Sequence, residues 1–305
     1  MTTYITEKAC TGYTAYKEVG FGHQMKDQVT PIIIAEIMKD SNFKYANMYH
    51  RPLDIMGLEV DDVSVNDLPK DIPTRTWSQL GVTNGMPYKG MLKIIRERPE
   101  GDNLILLRKQ CRIHLHQVWE WQQQGLIQHD AFNAVRIKLY NKFMKKSAKN
   151  FPIYLNPLYN IGVHIRRGDI ADPKFKNLQK MGILKHDNPN KMHAVLSIDW
   201  YVKAIQLAIK TAALETGQYE VHIFTESKFS EDVVNMANVN GYIIHINEKF
   251  GSDFMNMIHC DALVMSNSGM STLAGYLSTK SKKYYHPNPH SPTSLPSDEY
   301  IQVLT

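Results

Sequence analysis

Cysteine is scarce. Cys10, Cys111 and Cys260 are odd in number, far apart, and without CxxC or Cys/His ligand spacing. That argues against a disulfide framework and a structural zinc site, and makes a reducing compartment the expectation. Long apolar runs are missing too: PIIIA and NLILL are the longest, far below the ~20 residues that span a bilayer. The amino-terminal MTTYITEKACTGYTAYKEVG has acidic and polar residues where a signal peptide needs an apolar core. A cytoplasmic protein with no integral membrane segment is therefore expected. Gly 17 and Pro 14 in 305 residues are too few for a collagenous or disordered chain. Charge of one sign is not in large excess: 35 basic against 30 acidic residues leave +5, thinly spread. Nucleic acid is not demanded by that balance, and anionic small molecules fit equally well. GxxxxGK[ST], HExxH, GxSxG and Asp-x-Asp are all absent, as are heptads and repeats.

What is present is an ordinary globular composition, 43% hydrophobic and 21% charged, at a length that favours two domains. We place them at 1–154 and 155–305, joined through the Pro- and Asn-rich FPIYLNPLYN. In the first, KEVGFGHQ reads as a glycine loop running into a mostly apolar helix, and 40–102 gives only short strands and loops. From 103 to 149 the text reads as helical, NLILLRKQCRIHLHQVWEWQQQG and then a helix with Phe132, Val135, Leu139 and Phe143 three and four apart. The second half alternates instead. YNIGVHI, YEVHIFT, YIIHI, DALVMS and KKYYH read as five strands. Between them lie the helices SIDWYVKAIQLAIKTAALE, capped by Ser197 or Asp199, SEDVVNMANVNG, DFMNMIHC and GMSTLAGYLS. The class is α/β with a doubly wound parallel sheet, whose ligands lie beyond the carboxyl ends of the strands.

Those ends carry polar residues. YNIGVHI runs directly into Arg166, Arg167 and Asp169. Adjacent arginines repel and resist desolvation, so they call for an anion such as a diphosphate, or for local carboxylates. Ser266, Asn267 and Ser268 precede Gly269 and a helix start, where hydroxyls and N–H groups can converge on a phosphate or simply cap the helix. Gly20, Gly22, His23 and Gln24 form a short glycine loop that could cradle a sugar diphosphate. His164, within a strand, reads as a core residue or a ligand contact, and Asp253 reads as the cap of its helix rather than as chemistry. His114 and His116 would point to different helix faces, Met255, Met257 and Met265 read as core, and Trp119 and Trp121 as core or an acceptor groove.

HIRRGD at 164–169 resembles the H-x-R-R-x-D signature of the metal-independent fucosyltransferase superfamily. HIFTES at 222–227 is similar to its strand-end Thr-Asp/Glu motif, and DFMNMIHCDALVMSNSGMSTLAGYL at 253–277 to its last motif. GFGHQ at 20–24 resembles its amino-terminal glycine-rich entry loop. The clear likeness covers about 155–286, with three motifs in order.

The resemblance implies a GT-B architecture, two Rossmann-like domains facing across a cleft, the first on the acceptor side and the second holding a nucleotide-sugar donor. It implies an inverting enzyme with no metal or cofactor that moves fucose from GDP-fucose to a glycan hydroxyl, and keeps its activity in chelator. By the same likeness Arg166 grips the β-phosphate and neutralises the leaving diphosphate, Arg167 orients the loop, the diphosphate, or both, and His164 lies at the nucleotide. Thr225 and Glu226 belong to the motif whose acid bonds the guanine edge. Ser227 stands where the family has a second acid, which leaves another donor, such as UDP-xylose, open. The base candidates are Asp169, Asp172 and His23, with Asp169 preferred as a structural partner of Arg167. A non-catalytic nucleotide-sugar- or glycan-binding protein is the reading from a different class.

Overall fold

The computed structural model describes residues 3–7, 21–38, 43–47, 63–64, 67–76, 79–81, 90, 93–94, 97, 103–107, 115–127, 130–147, 156–167, 195–228, 230–287 and 298–304. The chain divides into two compact units, Met1–Ala148 and Lys149–Thr305. Both are α/β, each built on a parallel sheet.

In the first unit, β1 (Thr3–Glu7), β2 (Phe43–Asn47), β3 (Val63–Ser64), β4 (Thr74–Thr76) and β5 (Asn103–Leu107) lie in the order β3-β2-β1-β5-β4. NLILL is thus a strand paired with β1, Thr3 opposite Asn103, and not the start of a helix. Five consecutive apolar residues suit a sheet interior as well as a helix, so periodicity alone misreads them. The helix begins later, as α2 (Leu115–Gln123).

α1 (Phe21–Ile37) also starts earlier than expected, so Gly22, His23 and Gln24 belong to its first turn rather than to a loop. The helix continues through Pro31, which removes one backbone hydrogen bond. Full burial of Ile32, Ile33 and Ile34 just beyond it offsets that loss. In α3 (Ala131–Ser147) the three- and four-residue spacing holds, and Phe132, Val135, Leu139 and Phe143 form one buried stripe. Trp119 packs edge-on against Phe132, ring centres 5.4 Å apart.

The second unit has six strands: β6 (Tyr159–Ile165), β7 (Tyr219–Thr225), β8 (Ile243–Ile246), β9 (Ala262–Met265), β10 (Lys282–Tyr285) and β11 (Tyr300–Gln302). All are parallel, in the order β11-β10-β9-β6-β7-β8. The first five are those read from the sequence; β11, three residues long, is too short to show a pattern. The chain moves outward from β6 through β7 to β8 and then returns to β9 on the other side of β6. The topological switch therefore lies between β6 and β9, where an open α/β sheet leaves its ligand crevice.

α4 (Ile198–Thr211) is capped by Ser197, whose hydroxyl accepts from Trp200 N, and α5 (Glu231–Asn240) ends on Gly241 at φ 69°, a left-handed position that glycine takes readily. α4 packs on β6, and α5 packs against α4 and β8, both sharing one core with Ile161, Val163 and Ile165. α6 (Phe250–His259) and α7 (Gly269–Leu277) pack together, and α6 reaches β6 closely: a Cβ on Gly162 would stand 3.0 Å from the Cys260 sulfur. Met255, Met257 and Met265 are buried core. Among the described residues no helix is long and apolar enough to cross a membrane.

Candidate functional site

Because every strand of the second sheet is parallel, the segments after β6, β7, β8 and β9 emerge on one edge. They bring together the HIRRGD arginines, the Thr-Glu pair, Asn247 and the Ser-Asn-Ser run.

At the switch point the two flanking strands are joined by side chains. His164, the penultimate residue of β6, is 9% exposed, and its Nδ1 lies 2.8 Å from Oγ of Ser266, the first residue past β9. Burial first, and the Arg166 charge second, push the imidazole down to about 3, so the ring is neutral at physiological pH. Ser266 Oγ is also 3.3 Å from Oγ of the fully buried Ser271.

The two neighbouring arginines part company. Arg167 is 2% exposed; its Nε donates to both oxygens of Asp232 at 3.2 Å, its Nη2 to Oδ2 at 2.8 Å, and its Nη1 to the Arg166 carbonyl at 3.2 Å. The guanidinium of Arg167 thus ties the backbone at Arg166 to α5. Its partner is Asp232 in the first turn of α5, while Asp169 and Asp172 lie outside the described residues, as does Gly20. Arg166, half-buried and directly past the strand, is the arginine whose backbone this clamp fixes.

The serine run has more internal duties than a phosphate loop requires. Ser268 is the N-cap of α7, its hydroxyl accepting from Met270 N at 3.3 Å. Ser266 is committed to His164 and Ser271. Asn267, between them, is half-buried.

After β7, Thr225 donates its hydroxyl to the Ile165 carbonyl at 2.8 Å, tying the ends of β6 and β7, and Glu226 is exposed beyond it. Ser227, in the place of the second acid, is held by Asn247: its N–H donates to Oδ1 at 2.9 Å, and its Oγ accepts from Nδ2 at 2.6 Å. Asn247 sits at φ 53° and donates its own N–H to the Thr225 carbonyl. A single asparagine after a strand is a weak sequence signal, and its left-handed backbone shows only in the fold.

Asp253 was expected as a cap. α6 instead begins at Phe250, with Lys249 as N-cap, and puts Asp253 inside its first turn, 8% exposed, with no hydrogen-bond partner for Oδ1 among the described residues. Burial first, and the Glu248 charge second, raise its carboxyl to about 7.

No protein-family model matches the sequence, and no curated protein matches it. Solved structures do show likeness. The crystal structure of POFUT1 in complex with GDP is 12% identical, covering 92% of this chain and 97% of that one at TM-score 0.47. POFUT1 in complex with GDP-fucose is 10% identical, covering 93% and 96% at TM-score 0.43. A glycosyl transferase family 9 structure from Veillonella parvula is 9% identical, covering 99% and 86% at TM-score 0.44.

Proposed function

We propose that the chain is an inverting, metal-independent glycosyltransferase of the GT-B class that transfers fucose from GDP-fucose to a glycan hydroxyl, residues 155–305 binding the donor and 1–154 serving the acceptor. The observation that carries the reading is the switch point of the second sheet, where His164 and Ser266 meet at 2.8 Å beside Arg166. A ligand crevice is expected at such a switch point, and Arg166 beside it, its carbonyl held by the Arg167 that pairs with Asp232, would suit an anionic nucleotide.

In that role Arg166 faces the charge that grows on the β-phosphate oxygen as the glycosidic C–O bond breaks, a task a preorganised cation performs without a metal. Arg167 keeps it in place. Glu226, exposed past β7, offers a carboxylate to N–H groups of a base such as guanine, and Asp253, buried after β8 with Oδ1 unpartnered among the described residues, offers a second acid at the same edge. The acceptor hydroxyl loses its proton to a base for which Asp169, Asp172 and His23 are the candidates, to be separated by comparing their alanine variants.

A thermal-shift panel in EDTA with GDP, UDP, ADP, CMP and their sugar conjugates tests the reading. GDP and GDP-fucose are expected to stabilise the protein by about 2.7 kcal/mol at a hundredfold excess over Kd, and R166A to lose the shift. Stabilisation by UDP alone overturns the fucosyl assignment in favour of a donor such as UDP-xylose. Silence from every nucleotide overturns the donor site itself, and binding without turnover identifies a non-catalytic binder.

A further inference from the structure

At one margin of the second sheet two histidine rings meet edge to edge. His222, in the middle of β7, is 2% exposed, and its Nδ1 lies 3.1 Å from Nε2 of His245, the penultimate residue of β8. The ring centres are 5.4 Å apart and the planes differ by 13°. That separation is close to the nitrogen–nitrogen distance plus the two ring radii, the largest it can be. Both nitrogens therefore lie on the line between the centres, and the rings share nearly one plane rather than lying face to face. Such a gap holds a single hydrogen, whichever nitrogen carries it. On the far side of His222, Glu220 Oε2 stands 3.3 Å from Nε2, while His245 leans on the buried Phe224, ring centres 4.9 Å apart.

Alternation along the strands turns this face away from α5, which shares the opposite core with Ile223 and Ile244 and carries Glu231 and Asp232 in its first turn. β6 sets Gly162 beside His222 and His164 beside Phe224, and β8 sets Ile243 beside His222. Glu248 and Lys249 follow β8, and α6, packed on β6, carries Asp253 and His259. Of these groups, Glu220 is the charge that acts on His222, and His222 the one that acts on His245. Burial outweighs Glu220 and lowers His222; burial first, and His222 second, push His245 down to about 4. Both rings are thus neutral near pH 7.

We infer that the His222–His245 bridge is an acid-sensitive latch on edge strand β8. A first added proton goes to an outer ring nitrogen and leaves the shared hydrogen in place. A second puts hydrogens on both facing nitrogens, and two like charges then drive the rings apart. Among the described residues β8 pairs with β7 alone. Asn247, one residue past its end, donates its N–H to the Thr225 carbonyl and holds Ser227 through its side chain. Release of the bridge loosens the strand end that carries this clamp, while β6, flanked by β7 and β9, stays packed. The tie to a ligand rests on the donor reading above, in which Glu226 meets the base; the latch does not.

Backbone hydrogen exchange of the ligand-free protein, read residue by residue and expressed as protection over the intrinsic rate at each pH, tests the latch. Freed imidazoles take up protons below about 6.5. Protection of the β8 amides and of Asn247 is therefore expected to fall between about pH 6.5 and about 4 by up to about a hundredfold per unit, tenfold for each of two protons, while the β6 amides hold. H245F keeps a ring beside Phe224 and leaves one titrating imidazole, so its fall should be no steeper than about tenfold per unit. Protection of β8 that is flat with pH, or that falls only in step with β6, overturns the inference, and so does an H245F profile as steep as wild type. The wild-type profile decides the point even where the variant fails to fold. For the ligand, GDP at a hundredfold excess over Kd is expected to raise the protection of the same amides about a hundredfold at pH 5, and inorganic pyrophosphate at the same excess to leave them within about 2-fold. Unchanged protection with GDP bound, or an equal rise with pyrophosphate, overturns the link to the base end of the ligand. If GDP binds at no pH, the proposed function falls, and the latch stands or falls on the ligand-free exchange.

Discussion

Arg167 donates from both Nε and Nη2 to the carboxylate of Asp232, so the residue after the catalytic candidate is anchored 65 positions away, at the start of α5. Two adjacent arginines thus have opposite dependences on folding. D232N removes the charge but leaves the guanidinium buried, and is expected to cost about 1–3 kcal/mol of stability. Turnover should fall with it, because Arg166 moves when its neighbour does. Chemical denaturation against wild type checks the first effect; an unchanged midpoint would show the pair to be incidental.

R166A should do the reverse. Its expected signature is a melting temperature within a few degrees of wild type and a kcat about 10²–10³-fold lower, the usual size of losing one transition-state charge partner. Single-turnover kinetics with GDP-fucose measures it. A fall in stability as large as that of D232N, with kcat intact, would assign Arg166 to structure.

The second sheet was legible because its five longer strands alternate regularly with amphipathic helices, and its strand ends follow from that alternation. NLILL was not, since an apolar run of five has no period to read, and β11 is shorter than any pattern. At the site, residue types and order pointed to His164, Arg166 and Ser266. The Arg167 partner that the fold shows, Asp232, is hidden by distance along the chain, 65 positions on. An acid opening an apolar run looks like a cap in the sequence, and only the helix start at Phe250 shows that Asp253 lies inside the first turn.

The pH dependence of stability carries two opposing trends. His164 and His245 are pushed down to about 3 and about 4, and His222 is also lowered. Below about 6.5 the unfolded chain takes up their protons and the folded one does not, so these groups lower stability as the pH falls. Asp253 is raised to about 7, so between about 4 and 7 the folded state holds a proton that the unfolded chain releases, and stability falls as the pH rises. D253N removes the second trend. Its advantage over wild type should grow by up to about 1.4 kcal/mol per pH unit and level off above pH 7. Denaturation at pH 4, 6 and 8 measures this, and a difference constant with pH would place Asp253 in contact with solvent.

Gly162 sets how closely α6 can approach β6. A Cβ there would meet Cys260 Sγ at 3.0 Å, and both residues are walled in by core, with Cys260 fully buried. G162A is expected to destabilise by about 1–3 kcal/mol through overpacking. Replacing the sulfur in G162A/C260A should recover part of that, a coupling that a double-mutant cycle reads directly. Additive effects would mean that the strain is relieved elsewhere.

Asn247 joins the ends of β7 and β8 and thereby places the residue in front of the clamp, Glu226. The side chain engages Ser227 through both its oxygen and its nitrogen, and the backbone holds φ 53°. N247G keeps that conformation without strain but loses both side-chain bonds, whereas N247A loses the bonds and adds the strain of a left-handed alanine. N247G should therefore lose about 1 kcal/mol and N247A about 1–2 kcal/mol more. If Glu226 reads the nucleobase, N247G also narrows the preference for GDP over UDP while leaving the contribution of the diphosphate untouched. Competition binding with GDP, UDP and pyrophosphate separates these effects. Equal weakening of all three would mean that the clamp supports the crevice as a whole, and unchanged discrimination would remove Glu226 from base recognition.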